Sequence, residues 1–409
     1  MKEIVFDIEA NGLKPDKIWC IVAKPLGEAV VSFGPDKIEE GIQFLKSADA
    51  LIGHNILGFD LPVIKKLYNI DLSKHVIKDT LVMSRLFNPV RENGHSLKTW
   101  GYIIGFPKDE QPEDWDEFSP SMLTYCQKDV VLNEKVYQRL LKEGENFDEE
   151  SIKLEHGVAE VLKDQEDIGF EFNQEYAMML VAQLKERMFQ VEKEVQEVFK
   201  PKMVDIKQVF PKLKKDGTLS KSGLTAEEYD RLIASKDYLP FMRQKLQPFN
   251  LGSRKQIGEY LTDFGWKPNR FTPTGQPIVD ESSLAKVKKI PEARLIAEFL
   301  LLQKRIAQID SWILAVKEDN RVHGFVIPNG TITGRMAHRA PNVAQVPSVV
   351  SEYGKECRSC WTVREGYKLV GIDASGLELR MLAHYMDDKE YTNEVTEGDI
   401  HTANQKAAG

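Results

Sequence analysis

The chain opens on a short-period pattern. Glu3-Ile4-Val5-Phe6-Asp7-Ile8 is a short, mostly apolar run that predicts a strand, and Ile18–Ala23, Ala29–Phe33 and Leu51–His54 predict three more. Ile38–Leu45, Leu61–Leu67 and Val130–Leu141 carry apolar residues at helical spacing. Alternation of strand and helix predicts a mixed α/β sheet domain over the first third of the chain. From about residue 150 the period lengthens. Ile152–Asp167 and Glu175–Phe199 predict helices, and the second, about 25 residues, would reach roughly 40 Å at about 1.5 Å per residue. Lys200–Lys221 follows with seven lysines and two aspartates, broken by Pro201, Pro211 and Gly217, and reads as a loop or short hairpin. Leu295, Phe299, Leu302, Ile306 and Ile309 predict a buried helix over 292–318. Strand signals return at Val322–Val326 and Lys368–Asp373, and Asp373 leads into an amphipathic helix. There is no internal repeat and no low-complexity tail.

Composition narrows the class. A length of 409 residues suggests two to three domains at about 150 residues each. With 42% hydrophobic and 29% charged residues there is apolar material for more than one core. The net charge of -8 means that any nucleic-acid contact must come from local basic surface, while clustered carboxylates suit divalent cations. The four cysteines form no spaced disulfide framework, and Cys357 and Cys360 make a lone CxxC with half the ligands of a zinc site. A reducing, cytoplasmic setting with plain thiols is expected. The first residues read as a strand and not a signal peptide, and no apolar run approaches the roughly 18 residues of a membrane helix.

Two acids on one strand carry the first chemical signal. Asp7 and Glu9 stand two apart, so their side chains share one face while Ile4, Phe6 and Ile8 take the other. Two carboxylates on one face repel unless a cation lies between them. On these residues alone an exposed acidic strand edge is an equal explanation. Asp60 then follows a strand in His54-Asn55-Ile56-Leu57-Gly58-Phe59-Asp60, and Tyr125 and Asp129 stand four apart, on one face of a helix.

The set D-x-E, N-x-x-x-F-D and Y-x-x-x-D resembles the proofreading exonucleases of the RNase H-like fold, across about the first 140 residues. The resemblance implies metal ligation by Asp7, Glu9, Asp60 and Asp129, with two Mg²⁺ or Mn²⁺ ions, and water positioning by Tyr125. His54 and Asn55 would touch the terminal nucleotide and Leu13 would wedge against its base. Local packing and turn formation explain these last three equally well.

A second constellation lies near the other end. Gly330-Thr331-Ile332-Thr333-Gly334-Arg335, Pro341-Asn342-Val343-Ala344-Gln345, Asp373-Ala374-Ser375-Gly376-Leu377-Glu378-Leu379-Arg380 and Gly398-Asp399-Ile400-His401 follow in order. A bare Asp373 at a strand end is more often a helix cap than a ligand. Together the segments resemble family A DNA polymerases of the replicative, short-tailed-phage type. The resemblance implies Asp373 as one palm carboxylate and metal ligand. It implies Glu378 beside the sugar 2′ position, and Arg380 and His401 in the dNTP site. Arg335, Asn342 and Gln345 would lie along the primer-template. The Glu175–Phe199 helix and its lysines resemble a thumb, the lysines neutralising phosphates; a solvated loop is the plain alternative.

The expected architecture is α/β: an RNase H-like 3′→5′ exonuclease domain (1–145), a helical thumb with connecting helices (146–320) and the first part of an α+β palm (321–409). The expected partners are single-stranded 3′ ends, primer-template and dNTP, without a membrane. The stretch between the thumb helix and Asn250 reads as too short for the insertion that recruits a host thioredoxin. The fingers and second palm aspartate of the family do not occur by Gly409, so a C-terminal fragment is expected to complete the polymerase. A non-catalytic DNA-binding or assembly subunit and a stand-alone nuclease are the other function classes; the full acid set argues against the first and residues 322–409 against the second.

Overall fold

A computed structural model describes residues 2–398, except 113, 281, 282, 285, 286 and 288, together with residue 405. His401 lies outside the described residues. The chain divides into two compact units, Met1–Trp361 and Thr362–Gly409.

The first unit begins with a five-stranded mixed sheet. Its strands are β1 (Glu3–Ala10), β2 (Ile18–Pro25), β3 (Val31–Phe33), β4 (Ala50–Gly53) and β5 (Val76–Asp79), in the order β3-β2-β1-β4-β5. β1, β2 and β3 pair antiparallel, whereas β4 joins β1 and β5 joins β4 in parallel. The central strand is therefore buried on both faces. Ile4, Phe6 and Ile8 face helices α1 (Ile38–Lys46) and α2 (Asp60–Tyr68), in a core with Ile42, Leu45, Leu61 and Ile64. Each such side chain, fully buried, stabilises the fold by roughly 1.5–3 kcal/mol.

The opposite face presents Val5, Cys20, Val22 and Ile52 to a longer helix. Two helices absent from the sequence reading, α3 (Thr80–Phe87) and α4 (Leu97–Ile104), precede it. The long helix α5 (Pro120–Glu143) starts where Ser119 accepts the Met122 N–H at 3.2 Å and Pro120 presets the first turn. Its buried stripe, Met122, Cys126, Val130, Asn133, Val136, Tyr137 and Leu140, keeps the three- and four-residue spacing.

The expected long helices are present as α6 (Glu149–Ile168), α7 (Gln174–Val198) and a third over Glu292–Ala315. The third packs along α7, and Arg187 bridges the pair with two bonds to Glu298 at 2.6 and 3.0 Å. Their core holds Leu184, Phe199, Trp312, Cys357 and Cys360. Strand β6 (Phe170–Phe172) pairs with Arg321–Val322, which ties the start of α7 to the segment after the third helix. The four cysteines are free and buried. Among the described residues no helix is long and apolar enough to cross a membrane.

Two segments depart from expectation. Lys200–Lys221 is not simply a loop: Lys202–Val209 forms strand β7, which pairs antiparallel with β8 (Phe241–Gln247) about forty residues on. Short-range pattern cannot reveal such a partner. Only the turn at Gly217, closed by a Leu213–Leu219 bridge, is the short hairpin expected there. In the second unit, Lys368–Asp373 is irregular rather than a strand, and Val370 and Ile372 are 76% and 95% exposed. An apolar run becomes a strand only when a neighbour accepts its backbone hydrogen bonds. The helix expected after Asp373 is present at Leu377–Met386, and a second follows over Lys389–Glu397.

Candidate active site

Period-2 geometry puts the first two acids where the pattern required. Asp7 lies opposite Val22 and Glu9 opposite Cys20, and both point to the α5 side of the sheet. The register slips between Glu9 and Ala10, which bends the end of β1 beside the site. Asp60 enters from the next loop as the first residue of α2, and its Oδ1 accepts the Ile8 backbone N–H at 3.1 Å. Asp129 comes down from α5 one turn after Tyr125. Glu9, Asp60 and Asp129 are buried and Asp7 is half-buried.

The electrostatics bind the four into one cluster. Burial, with Asp129 beside it, pushes the Asp7 carboxyl up to about 7. Burial, with Asp7 and Asp129 near, pushes Glu9 up to about 10. Asp60 is raised well above the usual carboxylate range by burial and by Asp7, and Asp129 is raised chiefly by burial. Four crowded, mostly buried acids with only Lys108, among the described residues, paired to one of them favour bound cations, because a divalent ion among them returns each to its charged form. Asp129 Oδ1 is buried with no hydrogen-bond partner, an orphan acceptor that a cation satisfies. The donor set therefore fits hard divalent cations with oxygen ligands.

Cys126 also lies within ligand distance of Asp7 and Glu9. Burial holds its thiol well above the ordinary range, and its Sγ donates to the Asp7 backbone and carboxylate oxygens at 3.6 Å. A protonated, soft sulfur is a poor partner for a hard cation. Its place is to orient Asp7.

The loop that delivers Asp60 hangs on a network that sequence reasoning missed. Asp79 accepts the backbone N–H groups of Asn55 at 2.9 Å, Leu57 at 3.0 Å and Leu81 at 2.9 Å. The Asp79 N–H in turn reaches His156 Nε2 at 2.8 Å. Thr80 Oγ1 meets Gly53 O at 3.1 Å, Asn133 Oδ1 at 2.7 Å and His54 Nδ1 at 2.9 Å. The network thus links α5, the start of α3 and the 54–60 loop. Burial, with Lys108 and Arg85 in the surroundings, pushes the His54 ring down to about 3, so it is neutral. Asn55 has φ 67 and is exposed. Gly53 has no room for a side chain: a Cβ there would lie 2.1 Å from Ile56 Cγ2 and 3.1 Å from Phe6 O. An Asp-Thr pair at a helix start is a common cap in sequence, so nothing marked these two as parts of a site.

Lys108 was missed as well. Its ammonium pairs with Asp129 Oδ2 and stands 4.5 Å from the centre of the Tyr125 ring. A single lysine in a polar loop carries no sequence signal. Leu13 sits at a loop tip, 92% exposed.

The second constellation is spread over both units. In the first, Arg335 O accepts from the Thr331 N–H and hydroxyl, Asn342 Oδ1 accepts the Ala344 N–H at 3.1 Å, and Gln345 O accepts from Gln308 Nε2 at 2.7 Å. The Asn342 side chain thereby caps the short helical turn Val343–Gln345. In the second, Asp373 is exposed in the irregular stretch, Glu378 opens the Leu377–Met386 helix, and Arg380 Nε donates to Ser375 O at 2.9 Å.

Comparison with known proteins decides the family. The model of DNA polymerase family A matches residues 228–408. A DNA-directed DNA polymerase of Escherichia phage T7 is 30% identical over an alignment covering 99% of this chain and 73% of the relative. The chain belongs to DNA polymerase family A. A second DNA-directed DNA polymerase, from Enterobacteria phage T3, is also 30% identical with the same coverage. DNA polymerase I of Helicobacter pylori is 37% identical over 39% of this chain and 18% of the relative. Among solved structures, the POL domain of Pol1 from M. smegmatis, in complex with DNA primer-template and dNTP, superposes with a TM-score of 0.66. It is 15% identical, and this chain spans 59% of that chain's length. The family A model starts well after Asp129, whereas the phage relatives also cover the acid cluster.

Proposed function

We propose that this family A chain is a component of DNA replication whose residues 1–145 form an RNase H-like domain with metal-dependent 3′→5′ proofreading exonuclease activity. One observation carries the reading: Asp7, Glu9, Asp60 and Asp129, from three separate segments, meet in one buried cluster with Tyr125 a turn away from the last. The sheet order β3-β2-β1-β4-β5 supports the RNase H-like assignment. Residues 146–320 are then the thumb and connecting helices, and 321–409 the first part of the palm.

Asp7, Glu9, Asp60 and Asp129 would hold Mg²⁺ or Mn²⁺, two ions per site. When bound, such ions supply an activated water and neutralise charge on the departing 3′ oxygen. The protein supplies position. The Tyr125 hydroxyl holds the attacking water at the edge of the cluster. Cys126 and the Ile8 N–H fix the rotamers of Asp7 and Asp60. Neutral His54, steadied by Thr80, and exposed Asn55 face the terminal nucleotide, and Leu13 wedges against its base. In the palm, Asp373 would hold a catalytic cation together with a second carboxylate, because one carboxylate does not hold two cations. Glu378 and Arg380 then line the dNTP site, and Arg335, Asn342 and Gln345 the primer-template.

With Mg²⁺ or Mn²⁺ the purified chain is expected to shorten 5′-labelled single-stranded DNA from its 3′ end, and Asp7→Ala with Glu9→Ala to abolish this while the circular dichroism spectrum is unchanged. A wild-type chain inactive with both metals refutes the reading. Wild-type rates in the double variant move the site elsewhere.

A further inference from the structure

The loop between α4 and α5 is fastened to α5 at several points. The Phe106 N–H bonds Gly101 O at 2.8 Å, and Gly101 has no room for a side chain: a Cβ would lie 2.9 Å from Phe106 O. Lys128 and Lys135 of α5 approach the Phe106 ring at 5.6 and 5.5 Å, and Lys128 pairs with Asp109. Further along, Trp115 O accepts the Trp19 indole N–H at 2.8 Å, and the Trp115 ring meets Tyr125 edge-on at 6.4 Å. Tyr125 thus contacts two groups of this loop, the Trp115 ring and Lys108.

Lys108 is mostly covered, its side chain 17% exposed. Its ammonium engages both residues that α5 contributes to the site, pairing with the carboxylate of Asp129 and standing over the Tyr125 ring at 4.5 Å. A surface lysine that merely solubilises a loop is neither covered nor doubly engaged.

We propose that Lys108 is a positioning residue of the exonuclease site, acting through Tyr125: its ammonium, over the phenol ring and paired with Asp129, holds the ring in register with that carboxylate, so that the water placed by the Tyr125 hydroxyl faces the cluster. This rests on the exonuclease reading given above. A misplacement of about 1 Å at such a group lowers turnover by up to about a hundredfold. The effect belongs to turnover and not to substrate binding, because the ammonium is engaged by the protein.

The test is a mutant cycle on 5′-labelled single-stranded DNA with Mg²⁺. Lys108→Met keeps the length of the side chain and removes the charge, Lys108→Arg keeps the charge, and Tyr125→Phe removes the hydroxyl. Lys108→Met is expected to lower kcat about 10- to 30-fold with KM within about twofold. Lys108→Met with Tyr125→Phe should be no worse than Tyr125→Phe alone, within about threefold, because both act through one hydroxyl. Lys108→Arg should recover most of the loss. Calorimetric Mn²⁺ binding and an unchanged melting temperature in Lys108→Met would show the acid cluster intact; if that variant does not fold, Lys108→Gln takes its place. A tenfold rise in KM at constant kcat makes Lys108 a phosphate contact and overturns the proposal, as do multiplicative losses in the double variant. An active wild type matched by Lys108→Met removes this inference alone. An inactive wild type removes the exonuclease reading and this inference with it.

Discussion

Crowding four acids around the end of β1 has a consequence for stability that Asp7→Asn exposes. In the folded chain the Asp7 carboxyl is pushed from 3.8 up to about 7, chiefly by burial and then by Asp129. Each tenfold displacement of a proton equilibrium is about 1.4 kcal/mol, so in metal-free protein above pH 7 the ionised Asp7 costs the fold up to roughly 4 kcal/mol. The sign follows from the direction of the shift. Because the folded value lies above the unfolded one, the penalty is absent below about pH 4, grows between pH 4 and 7, and is complete above it. Asparagine keeps the shape and removes the charge. Because the four acids share their protons, part of the relief is already taken by the neighbours, and the expected gain is roughly 1–2 kcal/mol, a few degrees in melting temperature. The assay is thermal unfolding in EDTA from pH 4 to 8.5, repeated in Mg²⁺. Asp7→Asn should melt higher than wild type in EDTA at pH 8, and the gap should close at pH 4. Mg²⁺ should raise the wild type and leave the variant nearly unmoved, since a ligand stabilises only the state that binds it. A variant that melts lower than wild type in EDTA at pH 8 refutes the argument that the ionised, covered Asp7 destabilises the metal-free fold.

Further outcomes follow from single contacts. Gly53→Ala should destabilise the sheet unit by roughly 1–3 kcal/mol in denaturant unfolding and lower exonuclease activity, because a Cβ there meets Ile56 and the Phe6 carbonyl. Asp79→Ala strands three backbone N–H groups and should cost roughly 2–4 kcal/mol; hydrogen exchange should show faster opening at Asn55 and Leu57 than in β1. Asp373→Ala should abolish primer extension in any preparation that performs it, with 3′→5′ degradation of single-stranded DNA kept at the wild-type rate.

β1 to β4, α1, α2 and the second half of α5 were legible because each obeys a local period, whereas β5, α3 and α4 were not read from the sequence. Ile4, Phe6 and Ile8 had to face one way, so Asp7 and Glu9 had to face the other. Tyr125 and Asp129 share a helical face for the same reason. What stayed hidden depends on distant partners. Lys108, Asp79 and Thr80 gain meaning only because α5, the α4–α5 loop and the start of α3 converge, and none of the three residue types is unusual where it stands. β7 is hidden in a lysine-rich stretch because its partner β8 lies beyond an intervening helix. The converse error is equally physical. The three- and four-residue spacing of α6 identified a helix correctly, yet His156 is its one buried residue among those described, and Leu154 and Val161 are each 65% exposed. Periodicity states which face of an element is apolar; it does not state what covers that face. Lys368–Asp373 makes the same point for strands, since Val370 and Ile372 are as apolar as any residue of β1 and are exposed, with no neighbouring strand among the described residues. A sequence therefore discloses a site most fully where its residues are fixed by local period, as in the acid cluster, and least where the fixing groups come from elsewhere in the chain, as with the lysine that holds Tyr125.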